Sequence, residues 1–323
     1  MWVAVYFAVM VGVASAAYAA WAAYAVAHGA ALWTFAVGLP LYYAAFPLFF
    51  TTVWVALGWY WRAPRPPGVA MRFAQRIAYF WHEFAAIAQA PKMICFAALM
   101  PDPEPAPSAV PVLLLHGIGC NAAVWTSMRD YLEGEGLGPV YALSYGPPFA
   151  SIETFAPQVS DKLDAIERVT GARAAVIVGH SMGGLVARSY IRRYGGGRVR
   201  RLVTVGTPHA GSMHAWLMHG ASLSEMRPGS AYLAALAVPQ PAEKDVPTVS
   251  IWSWHDSMVT PQTSSRLPWA ENIVLTGIAH NALVGDREVQ ALVAAEIRKA
   301  RAGAAVPTSE FPSSGPRTRA APG

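Results

Sequence analysis

Residues 174–194, AAVIVGHSMGGLVARSYIRRY, decide the fold: an apolar, β-branched run gives way to an amphipathic one, with Ser181 at the change. Ala174–Val178 predicts a buried strand, and the spacing from Leu185 onward predicts a helix. Between them Gly179-His180-Ser181-Met182-Gly183 spells G-x-S-x-G, followed by Gly184. A strand that turns sharply into a helix needs glycine on both sides of the turn, because a Cβ there would strike the neighbouring strand or helix. A serine held in such a turn projects its hydroxyl beyond the sheet. The N–H of Met182 then opens the helix with its positive end toward the place where a developing oxyanion would sit. Ser181 is the candidate nucleophile.

The alternation extends outward on both sides. Apolar runs at 110–117, 140–146, 199–206, 246–254 and 272–277 predict five more strands. Helical spacing lies between them, as in SIETFAPQVSDKLDAIERVT, and DREVQALVAAEIRKA closes the unit. Near-continuous apolar strands separated by helices predict an α/β fold, a mainly parallel sheet of about six strands covered on both faces. No internal repeat is evident. The catalytic unit is expected over 111–300.

The first 61 residues contain no Asp, Glu, Lys or Arg, whereas 13% of the whole chain is charged, against about 25% in ordinary soluble domains. Residues 2–27 and 30–61 are each long enough to cross a bilayer, so a two-span transmembrane hairpin is expected over 1–61, with Pro40 and Pro47 interrupting the second run. A cleaved leader fits less well: the positive n-region is missing and a second apolar run follows. Arg62, Arg65, Arg72 and Arg76 place that side in the cytoplasm. The expectation is an inner-membrane protein of a bacterium with its catalytic domain on the cytoplasmic face. Residues 62–100 contain an amphipathic helix that either lies on the membrane surface or packs on the catalytic domain. PDPEPAPSAV (101–110) reads as a proline-rich linker, and 301–323 as a disordered tail. The +5 net charge is scattered, with no nucleic-acid signature. Cys95 and Cys120 form neither a metal nor a disulfide pattern, and oligomeric state is left open.

A serine hydroxyl is a poor nucleophile without a base held by an acid. Of His209, His214, His219, His255 and His280, only His280 follows a predicted strand near the end of the unit, where a loop can reach back over the sheet. Asp256 stands at the C-terminal end of the preceding strand, the edge where open α/β sheets place ligands. Glu243, Asp245 and Glu271 fall at the opposite edge, Asp286 enters the last helix near its N-cap, and His255 would point away from Asp256. The loop His116–Asn121 follows the first strand, and its glycines let the N–H of Ile118 turn inward as a second oxyanion donor. His116 reads as a structural hydrogen-bonding residue, and Cys120 as a small buried filler.

LLLHGIGCN (113–121), VGHSMGG (178–184), VGTPHAGS (205–212), the D-S-M-V turn at 256–259 and GIAH (277–280) together resemble the bacterial lipases and esterases of the α/β-hydrolase superfamily, over roughly Val110 to Ala300. The resemblance implies a triad of Ser181, Asp256 and His280, oxyanion donors at Ile118 and Met182, and a structural role for the loop holding His209. It implies hydrolysis of carboxylic esters with no cofactor, and a membrane-tethered site with few charges around it suits lipid or other hydrophobic acyl esters as substrates. Some relatives bind calcium near the histidine, but Asp286 alone makes no oxygen cage, so no metal is expected. Trp216, Leu217 and Leu223, in the short insert 213–241, are candidates for the acyl pocket or for ordinary packing. A thioesterase or acyltransferase on the same triad, or a non-catalytic membrane accessory protein, are the alternatives. The apolar hairpin is no part of the common lipase pattern.

Overall fold

The computed structural model describes residues 2–89, 101–104, 108 and 110–303. Cys95, the remainder of the linker and the tail from 304 lie outside the described residues. Six strands, β1 (Val112–Leu115), β2 (Val140–Leu143), β3 (Ala175–His180), β4 (Val199–Val205), β5 (Thr248–Ser253) and β6 (Glu271–Leu275), form one sheet in the order β2-β1-β3-β4-β5-β6. Every pairing is parallel. The first strand lies second from one edge; the chain adds β2 outside it and then returns across the sheet, so the strand order reverses between β1 and β3. The crevice at such a reversal is where open α/β sheets bind ligands.

The strand residues alternate between two cores, as a period of two requires. Leu113, Leu115 and Ile177 face α5 (Ala156–Thr170) and α6 (Met182–Tyr194). Val112, Leu114, Val176 and Val178 face α4 (Thr126–Gly134) and α10 (Arg287–Ala302). The insert after β4 carries three short helices, α7 (Ala221–Glu225), α8 (Ala231–Ala237) and α9 (Pro241–Lys244).

Two apolar helices precede the sheet, α1 (Trp2–Ala27) and α2 (Leu32–Tyr60). They run antiparallel, with the Tyr18 hydroxyl donating to the Phe35 carbonyl (2.9 Å) and the Tyr42 hydroxyl to the Ala14 carbonyl (3.1 Å). The expectation of two spans is narrowed here. Among the described residues α2 alone is long and apolar enough to cross a membrane, and the comparable part of α1, Val11–Ala27, is shorter. The helix α2 runs unbroken through Pro40 and Pro47. A proline inside a helix removes one backbone hydrogen bond and crowds the preceding turn, yet the helix continues past both.

The third helix, α3 (Phe73–Ala88), turns Tyr79 and Glu83 inward, both buried against the sheet's C-terminal edge. Of the two readings of this segment, the structure shows packing on the catalytic domain. The end of α2 reaches the same place. A Cβ on Gly58 would lie 2.7 Å from the Ser257 carbonyl oxygen, so only glycine lets helix and loop touch there. The side-chain amide of Gln262 bridges them, donating to the Gly58 carbonyl (3.2 Å) and accepting from the Ala63 N–H (3.0 Å).

Behind the crevice, α6 is fixed by a buried ion pair. Arg188 Nε meets Glu243 Oε1 of α9 at 2.9 Å, and Arg188 also donates to the Leu236 carbonyl (2.6 Å). Each side chain of the pair is only 1% exposed. Removing one partner strands the other charge in a medium that solvates it poorly. Glu243→Ala is expected to lower unfolding free energy by about 3–5 kcal/mol, read from the urea midpoint, and Glu243→Gln by less. An unchanged midpoint for the alanine variant would contradict the clamp.

Candidate active site

Ser181 sits between β3 and α6 with φ 55° and ψ −126°, a backbone conformation that costs a non-glycine residue energy. Neighbouring elements hold it there. The Ser181 N–H donates to the Val205 carbonyl of β4 (2.9 Å), and its own carbonyl accepts from the Gly184 N–H (3.1 Å). The flanking glycines are spatially obligatory. A Cβ on Gly179 would lie 2.5 Å from the Gly184 nitrogen, and one on Gly183 would run into the Leu115 carbonyl of β1.

The loop after β1 lies directly on the serine. A Cβ on Gly117 would stand 3.0 Å from Ser181 Cβ and 3.5 Å from its Oγ. Ile118 is the next residue, half-buried, and Met182 opens α6, so both candidate N–H donors belong to segments that meet Ser181. His116 holds the loop from beneath. Its Nδ1 donates to the Gly117 carbonyl (2.7 Å), its ring stacks on Tyr145 at 4.0 Å, and the Tyr145 hydroxyl donates to its carbonyl. Burial lowers its imidazole to about 4, so it stays neutral. Burial likewise pushes the Cys120 thiol up to about 11, which keeps it protonated and unreactive at neutral pH.

Asp256 and His280 stand together at the same edge. His280 Nδ1 donates to Asp256 Oδ2 at 2.8 Å, while Asp256 Oδ1 accepts the N–H groups of Met258 (2.8 Å) and Val259 (2.7 Å). Both side chains are buried. The His280 backbone is tied to the serine's neighbour, since His180 Nε2 donates to the His280 carbonyl (3.1 Å) and the two rings lie 4.7 Å apart. Burial by itself lowers the His280 imidazole. The Asp256 carboxylate, by charge and hydrogen bond, and the charge of Glu83 outweigh it and hold the ring above its ordinary value. His180 is driven the other way, by burial and by the charge of His280.

The remaining histidines stay outside this group. His255 accepts from the Gly277 N–H (2.9 Å), turned away from Asp256. His209 meets the Thr204 hydroxyl (3.1 Å), and His219 is exposed. His214 is enclosed by the rings of Trp54 and Trp61, 4.9 and 5.2 Å away, and its Nδ1 meets the Thr260 hydroxyl at 3.0 Å. Asp286 caps α10 by accepting from Glu288 N–H. The pocket candidates separate. Trp216 and Leu217 are exposed, with the Arg227 guanidinium 4.5 Å over the Trp216 ring. Leu223 is packed in the core with Met226 and Leu233, because the short α7 must bury one face.

Sequence reasoning missed Glu83, Tyr79 and Trp54, which come from the N-terminal helices; Glu83 and Tyr79 meet the loops that carry Asp256 and His280, and Trp54 lies on His214 in the insert after β4. One signal was present. Tyr79 and Glu83 are four residues apart in RFAQRIAYFWHEFAAIAQ, on one helix face, which set a lone carboxylate in line with an inward residue.

The sheet order, with a strained serine between β3 and α6, is that of the α/β-hydrolase fold. The profile of the alpha/beta hydrolase family matches residues 112–317, and the chain belongs to that family. Its fold is similar to that of the mature lipase BlEst2 of Bacillus licheniformis, with a TM-score of 0.54 at 18% identity over 61% of this chain and 96% of that one. It is similar also to lipase B of Aspergillus fumigatus, with a TM-score of 0.54 at 17% identity over 73% of this chain and 63% of that one.

Because Asp256 holds the His280 ring above its ordinary pKa, Asp256→Asn should lower the titration midpoint of that imidazole. Histidine proton resonances followed against pH measure this directly. A midpoint that stays put in the variant would remove Asp256 as the cause.

Proposed function

We propose that this chain is a membrane-anchored serine hydrolase that cleaves carboxylic esters, with lipid or other hydrophobic acyl esters as substrates. The observation that carries the reading is the conjunction at one sheet edge of Ser181, held at φ 55°, and the Asp256–His280 pair at 2.8 Å. Such a backbone is kept at a cost, and exposing a hydroxyl to a base is what that cost achieves.

In this reading His280 takes the Ser181 proton as the serine oxygen attacks the ester carbonyl, and the N–H groups of Ile118 and Met182 receive the oxyanion. Asp256 holds the ring by Nδ1 and balances the imidazolium charge. The imidazolium then protonates the alcohol as the carbon–oxygen bond breaks, leaving the acyl group on Ser181. Water, deprotonated by His280, releases the acid and restores the serine.

Membrane attachment is supported by α2, whose Leu32, Trp33, Leu41 and Phe49 are exposed although apolar. At its end the Trp59 ring gathers Arg62, Arg65 and Arg76 at 5.6, 5.2 and 5.2 Å, the aromatic and cationic collar expected at a bilayer surface. Phe73, Ile77 and Trp81, four residues apart, form an exposed apolar stripe on α3 beside it. The arginine collar favours the cytoplasmic face of a bacterial inner membrane for the catalytic domain. A site lying beside that collar suits substrates drawn from the bilayer.

The full chain in detergent is expected to hydrolyse p-nitrophenyl esters, with longer acyl chains preferred over acetate. Ser181→Ala and His280→Ala should each lose at least about 10³-fold in kcat, since triad members act as a unit. Equal turnover in wild type and Ser181→Ala would contradict the mechanism.

A further inference from the structure

The most heavily bonded side chain around the site belongs to neither the nucleophile nor its partners. Glu83 comes from α3, is fully buried, and lies 174 to 199 residues from the groups it touches. Its Oε1 accepts from the Ser257 hydroxyl (2.7 Å) and from Asn281 Nδ2 (2.8 Å). Its Oε2 accepts from the backbone N–H groups of Asn281 (3.0 Å) and Ala282 (3.1 Å). Ser257 follows Asp256, and Asn281 follows His280. One carboxylate thus holds the residue next to the acid and the residue next to the base.

We infer that Glu83 is a positioning residue for the acid–base pair, fastening the Asp256 and His280 loops to each other through one buried carboxylate. The inference rests on the triad reading above. A further link runs through Ser257, whose oxygen accepts from the His280 N–H (3.2 Å) while its proton goes to Glu83. Both the backbone and the side chain of His280 are then anchored, the first by Glu83 through Ser257, the second by Asp256.

Charge gives Glu83 a second effect. Its four partner groups are all neutral donors, which suits the ionised carboxylate. Burial raises its pKa, and the hydrogen bonds from Ser257 and Asn281 work against that rise. The titratable groups facing it are Tyr79, one turn back on α3, and His280. Those facing His280 are Asp256, Glu83, His180 and His214. Of these, only Asp256 and Glu83 are carboxylates. The charge of Glu83 is therefore best compensated at the moment His280 becomes an imidazolium, so it favours the transition state over the resting enzyme.

The test uses the full chain in detergent, with p-nitrophenyl butyrate as probe and kcat, KM and thermal melting recorded from pH 5.5 to 9. In Glu83→Gln, kcat should fall about 10- to 100-fold, the range expected when a base is displaced by a fraction of an ångström, with KM nearly unchanged. Its acid limb should move to lower pH, because His280 loses a negative neighbour. Glu83→Asp keeps the charge and should restore the position of the acid limb. An unchanged kcat, or a reduced kcat with an unmoved acid limb, overturns the inference. Should Glu83→Gln fail to melt cooperatively, Ser257→Ala carries the test. That variant breaks the link but keeps the charge, so a lower kcat with the acid limb in place supports the role, and wild-type kcat refutes it. Failure of the triad reading shows separately, as equal activity in wild type and Ser181→Ala.

Discussion

The backbone of Ser181 is the constraint on which the rest depends. A non-glycine residue at φ 55° does not hold itself there; the strands and helix around it must. β4 takes its N–H through the Val205 carbonyl, β1 presses its Leu115 carbonyl against Gly183, and α6 leaves directly from the next residue. Each contact requires β1, β3 and β4 to be parallel, adjacent and in one register, with Leu115 opposite Gly179 and Gly179 opposite Thr204. The buried strand residues on both faces supply that register. The hydrophobic core, the glycine spacing and the strained turn at Ser181 are in this sense one solution.

The same register puts the other chemistry within reach. β5 and β6 end at that edge, so the loops after them carry Asp256 and His280, paired at 2.8 Å, and the His280 carbonyl is bonded to His180, the residue before the serine. Charge in this crevice is concentrated and shielded from water. Two carboxylates, Asp256 and Glu83, face one imidazole, while His116 and His180 are kept neutral by burial. The arrangement stabilises a proton on His280 and on no other ring nearby.

Much of this was legible in the sequence, because it is local. Strand and helix reveal themselves by period, the turn at Ser181 by its glycines, and Asp256 and His280 by following strands; all six strands are found where the pattern puts them. The N-terminal helices were harder to read for the opposite reason. Composition marks 1–61 as apolar, but nothing local says that Trp54 will lie on His214, or that Gly58 will meet Ser257. Those contacts join residues about 160 to 200 positions apart and depend on shape. Glu83 was likewise visible as a residue of an amphipathic helix, while its partners were not. A boundary at residue 101 looks natural from the prolines, yet it would cut away a carboxylate that touches both the Asp256 and the His280 loops. Leu223 shows the limit in the other direction, since an apolar residue in an insert reads equally well as pocket wall or core.

The most direct measurement is to treat the full chain with a fluorophosphonate and locate the adduct by peptide mass spectrometry. The reagent reacts only with a hydroxyl that a neighbouring base has activated. A single adduct on Ser181, lost in His280→Ala, is the predicted result. An unlabelled Ser181 in a protein that still hydrolyses esters, or an adduct on another residue, would contradict the central claim that this fold exists to expose and activate that serine.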